Sequence, residues 1–142
     1  GEVFIAPIEK STQGHIEYSF PAIKAGREVD GIKLRFKDGK VIEATAKKGE
    51  NYLKECLEID AGARYLGEFG IGFNQNIKKF VKNILFDEKI SGSIHLALGR
   101  AYKEGGGTNE SALHWDMIKD LRGDGKIFID GKLIQEKGKF LI

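Results

Sequence analysis

Two histidines of this 142-residue chain lie in apolar runs. His95 sits in Ser93-Ile94-His95-Leu96-Ala97-Leu98-Gly99-Arg100-Ala101-Tyr102, and His114 in Leu113-His114-Trp115-Asp116-Met117. Both runs read as buried strands. An imidazole in an apolar setting without a partner costs about 1–3 kcal/mol. Asp116 follows His114 by two residues, and in a strand residues i and i+2 point to the same side. His114 and Asp116 therefore reach one centre together, with Trp115 packed behind. Acids also stand in or beside other apolar runs. Glu2 lies at the mouth of Val3-Phe4-Ile5-Ala6, Glu68 in the middle of Tyr65 to Phe73, and Asp87-Glu88 after Ile84-Leu85-Phe86. An ionised carboxylate in such surroundings needs a cation or a metal beside it. Taken singly, each is equally a surface acid, a lysine partner or a core histidine. Taken together, they point to a divalent-metal site.

Carboxylates with imidazoles suit Zn, Co, Mn or Mg better than Cu(I) or iron–sulfur chemistry. No cysteine is among the candidates, which argues against a closed structural zinc site. The candidates Glu2, Glu68, Glu88, His95, His114 and Asp116 exceed what one tetrahedral ion takes. They suit two ions about 3.5–4 Å apart bridged by a carboxylate, an arrangement used for metal-assisted hydrolysis. A glycosidase built on paired carboxylates leaves both histidines without a role.

These residues must be positioned by strands. Val3 to Ile8 reads as a short strand stopping near Pro7. Gly14 to Ile23 alternates, with Ile16, Tyr18 and Phe20 on one side, as a half-buried strand does. Gly31 to Phe36 and Val41 to Ala44 flank Asp38-Gly39, and Lys126 to Ile134 contains Asp130-Gly131. Asp-Gly between apolar-polar alternations signals a hairpin. Residues 50–59 carry Leu53, Cys56 and Leu57 at helical spacing, so this is the main helix. Cys56 lies on that stripe and reads as a core thiol. Asp60 is a cap candidate for a further turn over Ala61 to Arg64. Asn74 to Lys82 reads as a loop with a short helix. Ser93 to Tyr102 and Ala112 to Ile118 are further strands, and His15 reads as a surface residue. The fold class is α+β and β-rich: short antiparallel strands and hairpins with one main helix.

Composition excludes several classes. Apolar residues make up 41% and charged residues 31%, with a net charge of +2, as in an ordinary globular domain. No basic run interleaved with aromatics suggests nucleic acid, and no apolar stretch has the roughly 20 residues of a membrane span. The single cysteine fits a reducing, cytoplasmic setting. The chain begins without Met, directly in an apolar run, which reads as a domain from a longer protein.

Specific segments also match a known pattern. Gly1-Glu2-Val3-Phe4, Leu66-Gly67-Glu68, Leu85-Phe86-Asp87-Glu88, His95-Leu96-Ala97-Leu98-Gly99, Ala101-Tyr102, Asn109-Glu110-Ser111 and His114 to Ile118 occur in this order. Together with Gly31 to Gly49 they resemble the thermophilic aminopeptidase T / aminopeptidase S (PepS) family of two-metal exopeptidases. The resemblance spans nearly the whole chain. It makes residues 1–142 one domain, similar to the carboxyl-terminal catalytic part of a family member without its amino-terminal α/β domain. It implies metal ligands at Glu2, Glu68, His95, His114 and Asp116, with Glu88 as a further acid and Tyr102 as an active-site tyrosine. Six residues, Lys89 to Ile94, separate the Asp-Glu pair from His95, more than the family usually has.

The resemblance further implies two divalent ions (Co, Zn, Mn or Mg), a peptide substrate, a cytoplasmic homodimer, and hydrolysis of the amino-terminal peptide bond. In that scheme Glu68 bridges the ions, Glu88 relays a proton and Tyr102 donates to the oxyanion. The alternative is a truncated, non-catalytic metal-binding or dimerisation module.

Overall fold

The computed structural model describes residues 1–141. In chain order its elements are β1 (Glu2–Ile5), β2 (Gly14–Glu17), β3 (Ala22–Lys24), β4 (Arg27–Val29), β5 (Lys33–Lys37), β6 (Lys40–Thr45) and helix α1 (Glu50–Leu57). Then come β7 (Leu66–Gly72), the one-turn helix α2 (Ile84–Asp87), β8 (Ser93–Gly99), β9 (His114–Asp120), β10 (Lys126–Ile129), β11 (Lys132–Glu136) and β12 (Lys139–Phe140). The fold is α+β with one main helix, as the patterning requires. The central sheet is antiparallel, in the order β1-β7-β8-β9. Smaller sheets join β2-β5-β6, β3-β4 and β10-β11-β12. Among the described residues no helix is long and apolar enough to cross a membrane.

The two faces of the central sheet have different tasks. Leu96, Leu98, Trp115 and Met117 turn to one side and join Leu34, Phe36, Val41, Leu53, Cys56 and Leu57 in the core. Helix α1 thus buries its expected stripe against the sheet. The helix stops at Leu57, and Ile59 is exposed. On the opposite face stand Glu2, Glu68, His95, His114 and Asp116, interleaved with Gly70, Gly72, Ala97 and Gly99. Small residues beside each long one leave room for converging side chains.

A bulge sets this division. Glu68 pairs with Ala97, yet Leu66 pairs with Leu98, so β7 spends one extra residue at Gly67. The extra residue lets Glu68 face the polar side while Leu66 turns back into the core, a re-aiming typical of bulges. A methyl at Gly67 would overlap the backbone carbonyls of Gly99 and Arg100.

Several boundaries differ from the sequence reading. Asp38-Gly39 and Asp130-Gly131 form the expected hairpin turns with positive φ at both residues. Ala25-Gly26 and Lys137-Gly138 make the same turn shape without an Asp or Asn to announce it. The alternating run from Gly14 to Ile23 is not one strand: β2 ends at Glu17, and β3 begins a separate hairpin after Pro21. Residues 74–82 contain no helix. The helical turn lies just beyond, at Ile84–Asp87, where Asn83 caps it by accepting from the Leu85 amide at 3.1 Å. The strand at Ser93 ends at Gly99, so Tyr102 lies past it, and the next strand starts only at His114.

Candidate metal centre

The sheet register assembles the site. Glu68, Ala97 and Asp116 form one row across β7, β8 and β9. His95 stands between Gly70 and Ile118 in a second row, and His114 faces Gly99 at the start of β9. Glu2 enters from β1 opposite Gly72. Glu88 arrives from outside the sheet, at the C-terminal end of α2.

Two groups of ligand atoms result. Glu2, Glu88 and His95 offer atoms all within 4.8 Å of one another, and so do Glu68, His114 and Asp116. His95 Nε2 ties the groups together, 3.3 Å from Glu2 Oε2 and 3.3 Å from Glu68 Oε2. All six sequence-derived candidates are therefore in one cluster. Of the acid pair, only Glu88 faces it. Asp87 is buried and turned away, accepting from the amides of Val81 and Asn83 at 2.9 Å each.

The cluster is short of hydrogen bonds in a telling way. Among the described residues, His95 Nδ1 and Nε2, Glu2 Oε2 and Asp116 Oδ1 are buried without a partner. His95 Nε2 points between two carboxylate oxygens without the geometry of a hydrogen bond to either. Buried polar groups are normally satisfied. Convergent lone pairs from carboxylates and imidazoles are the donor set a divalent ion takes, so the residues present fit such ions.

His114 is only partly buried, unlike His95, which is fully enclosed. Being first in its strand, His114 reaches the open end of the sheet. Its Nδ1 lies 2.8 Å from the Arg100 carbonyl oxygen. A carbonyl can only accept, so Nδ1 carries the hydrogen, and in the neutral ring Nε2 keeps its lone pair toward the centre. Asp116 Oδ2 is 3.2 Å from that Nε2. This outer hydrogen bond fixes both tautomer and ring orientation, as partners behind metal-binding imidazoles do.

Electrostatics follow from the crowding. Bonding to Asp116 raises His114 to about 8 against the opposing effect of burial, with help from the Arg100 carbonyl. Burial would depress His95, but Glu68, Asp116 and Glu2 around it outweigh burial and raise it. Glu2 is raised by burial first and by the Glu88 charge second. Burial pushes Glu68 up as well, yet the adjoining His95, Asp116 and the His114 charge hold it below the usual value.

Tyr102 lies at the rim. It is 48% exposed, with its ring centroid 5.1 Å from that of His114 and 6.0 Å from that of Phe4. Burial and the charges of Glu68, Asp116, Glu88 and Glu2 raise its pKa, so the phenol keeps its proton and remains a donor. Beside β9 a cleft of about 470 Å³ opens between β3, the segment around Ile84 and the residues His114 and Asp116. His15 is exposed and remote from the site, and Cys56 is a core thiol whose pKa burial raises.

Three positioning contacts emerge only from the structure, although Asp60 also caps the Ala61–Arg64 turn as the sequence predicts. A methyl at Gly70 would overlap the His95 ring. Lys89 Nζ donates to Glu88 Oε1 at 2.9 Å and to the Leu85 carbonyl at 2.7 Å, and lies 3.9 Å from Glu2 Oε1. Asp60 holds the segment leading into β9, accepting from the Ser111 hydroxyl at 2.6 Å and the Ala112 amide at 2.9 Å. The signals existed, as a glycine two residues after Glu68 and a cation directly after the acid pair, but each is common in any chain.

The chain is similar to known metalloproteases and aminopeptidases. Residues 1–140 match the family model described as thermophilic metalloprotease (M29). The chain is 36% identical over 152 residues to aminopeptidase AmpS of Bacillus subtilis (strain 168), covering 92% of this chain and 36% of that protein. It is 35% identical over 148 residues to aminopeptidase T of Thermus aquaticus, covering 93% of this chain and 35% of that protein. The chain thus spans about a third of the length of these relatives. Wild-type AmpT from Thermus thermophilus superimposes with a TM-score of 0.86 at 31% identity, over 99% of this chain and 39% of that one. 2,5-Dihydroxypyridine dioxygenase from Pseudomonas putida KT2440 shares the fold, with a TM-score of 0.77 at 17% identity over 99% of this chain and 43% of that one.

Proposed function

The chain belongs to the thermophilic metalloprotease (M29) family, and on that premise we propose that it supplies the two-metal centre of an aminopeptidase acting on the amino-terminal bond of peptides. The observation that carries this reading is the pair of three-residue ligand groups, with buried partnerless atoms of His95, Glu2 and Asp116 aimed between them. One group is Glu2, Glu88 and His95; the other is Glu68, His114 and Asp116. Divalent ions (Co, Zn, Mn or Mg) held there would polarise the scissile carbonyl and make water acidic enough to attack near neutral pH.

The chain's own residues do the rest. Glu68 lies in one group and is 3.3 Å from the histidine of the other, so it is the residue that would be shared between two ions. Glu88 borders the cluster from the end of α2 rather than from a sheet position, and takes a proton from the attacking water and delivers it to the leaving amine. Tyr102 keeps its proton and donates a hydrogen bond to the carbonyl oxygen as charge develops there. His114 is held through Nδ1 by the Arg100 carbonyl, so that Nε2 faces the centre beside Asp116. The cleft along His114 and Asp116 gives an extended peptide access to the centre.

An aminoacyl-amide that fluoresces on cleavage tests this directly. Turnover with added Co²⁺, Zn²⁺ or Mn²⁺, lost on chelation, supports the reading. A folded protein that takes up metal without turnover supports a non-catalytic metal-binding module instead.

A further inference from the structure

The two ligand groups differ in what stands behind them. Behind Glu68, His114 and Asp116, the second nitrogen of His114 is committed to the Arg100 carbonyl at 2.8 Å. Ring orientation and tautomer are set before an ion arrives. Behind Glu2, Glu88 and His95, Nδ1 of His95 has no partner among the described residues. Outer partners of this kind are worth about 10- to 100-fold in metal affinity, and no protein group supplies one to His95 among the described residues.

A charge adds to the difference. The Lys89 ammonium sits against the acids of the second group, 2.9 Å from Glu88 Oε1 and 3.9 Å from Glu2 Oε1. The Leu85 carbonyl anchors it at 2.7 Å. Lys89 therefore faces the outer oxygen of Glu2. The other oxygen, Oε2, is turned toward His95 and left without a partner. The inner atoms stay available, but any ion between them meets a fixed positive charge nearby. A unit charge about 5 Å from a divalent ion weakens its binding by roughly tenfold even at near-water screening. Asp116 also feels this charge, but among the described residues no lysine or arginine comes within ion-pair distance of Glu68 or Asp116.

We infer that the two metal positions are unequal and that Lys89 is a positioning residue that sets the inequality. The Glu68–His114–Asp116 position fills first and tightly. The Glu2–Glu88–His95 position fills second and exchanges readily. This rests on the two-metal reading above.

Titration of the metal-free chain with Co²⁺, followed by calorimetry and by the visible absorption of bound cobalt, tests it. Two steps are expected, separated by at least about tenfold in affinity. Lys89→Gln, which keeps donors but removes the charge, tightens the second step by about tenfold and the first by less, so the gap between the steps narrows. Lys89→Arg, which keeps the charge, retains the wild-type gap. Two equal steps in the wild type, or a Gln variant with an unchanged or weaker second step, overturn the inference while leaving the two-metal reading intact. No cobalt uptake at all overturns both.

Discussion

The imidazole of His95 occupies the space above Gly70, its cross-strand partner, where any other residue would place its side chain. The centre of the cluster is thus made by an absence on β7 as much as by a presence on β8.

Gly70→Ala should displace the His95 ring. That ring is fully buried, so it cannot swing into solvent without moving its neighbours. Overpacking of this kind costs about 1–3 kcal/mol. Urea unfolding should register that loss, and calorimetry should show weaker metal uptake. An unchanged affinity would place His95 outside the ligand set.

Glu68→Gln keeps the side-chain volume and removes the shared charge. Because Glu68 stands next to both groups, both metal steps should weaken, by at least the roughly 10- to 100-fold that loss of an outer partner costs. Removal of a ligand belonging to one group alone, as in His114→Ala, should spare the other step to a greater degree. Titrations of the two variants side by side check this difference.

Proton competition sets the pH dependence of metal uptake. His114 is raised to about 8, so below that pH its Nε2 carries a proton that a metal must displace. Apparent affinity should therefore rise with pH up to about 8 and then level off as far as His114 is concerned. Calorimetry in buffers of different ionisation enthalpy should show proton release on binding at pH 7. His114→Ala should lose that share of the release.

Asp60 governs acid stability by a separate route. The Ser111 hydroxyl, followed by backbone amides at Ala112 and Ala63, holds its carboxyl below the usual value. A depressed folded-state pKa contributes stability above the unfolded value of about 3.9 and loses it as pH falls through the folded value. Asp60→Asn should therefore be less stable than wild type near neutrality, and the two should converge in acid below pH about 3.9. Thermal unfolding across pH checks this.

How much of this was legible depends on how local each signal is. Histidines and acids inside apolar strands stand out because burial makes them costly, which is why Glu68, His95, His114 and Asp116 could be singled out. The i, i+2 relation of His114 and Asp116 is local, and the structure keeps it at 3.2 Å. Tyr102 carried no such signal, since an aromatic after a strand reads as core; only the family resemblance marked it. Gly67 and Gly70 were unreadable because their role lies in contacts with β8 and the backbone beyond it. Lys89 carries no local signal, because its role depends on Glu2, 87 residues away in sequence. The hairpin turns at Ala25-Gly26 and Lys137-Gly138 were missed because tertiary pairing, not turn chemistry, imposes their backbone.

Anomalous scattering from crystals of the cobalt-loaded chain tests the central claim most directly. The account predicts two peaks, one among Glu2, Glu88 and His95 and one among Glu68, His114 and Asp116, with the second stronger at limiting metal. A cobalt-loaded crystal with no peak within this cluster, or with its cobalt held elsewhere, would contradict it.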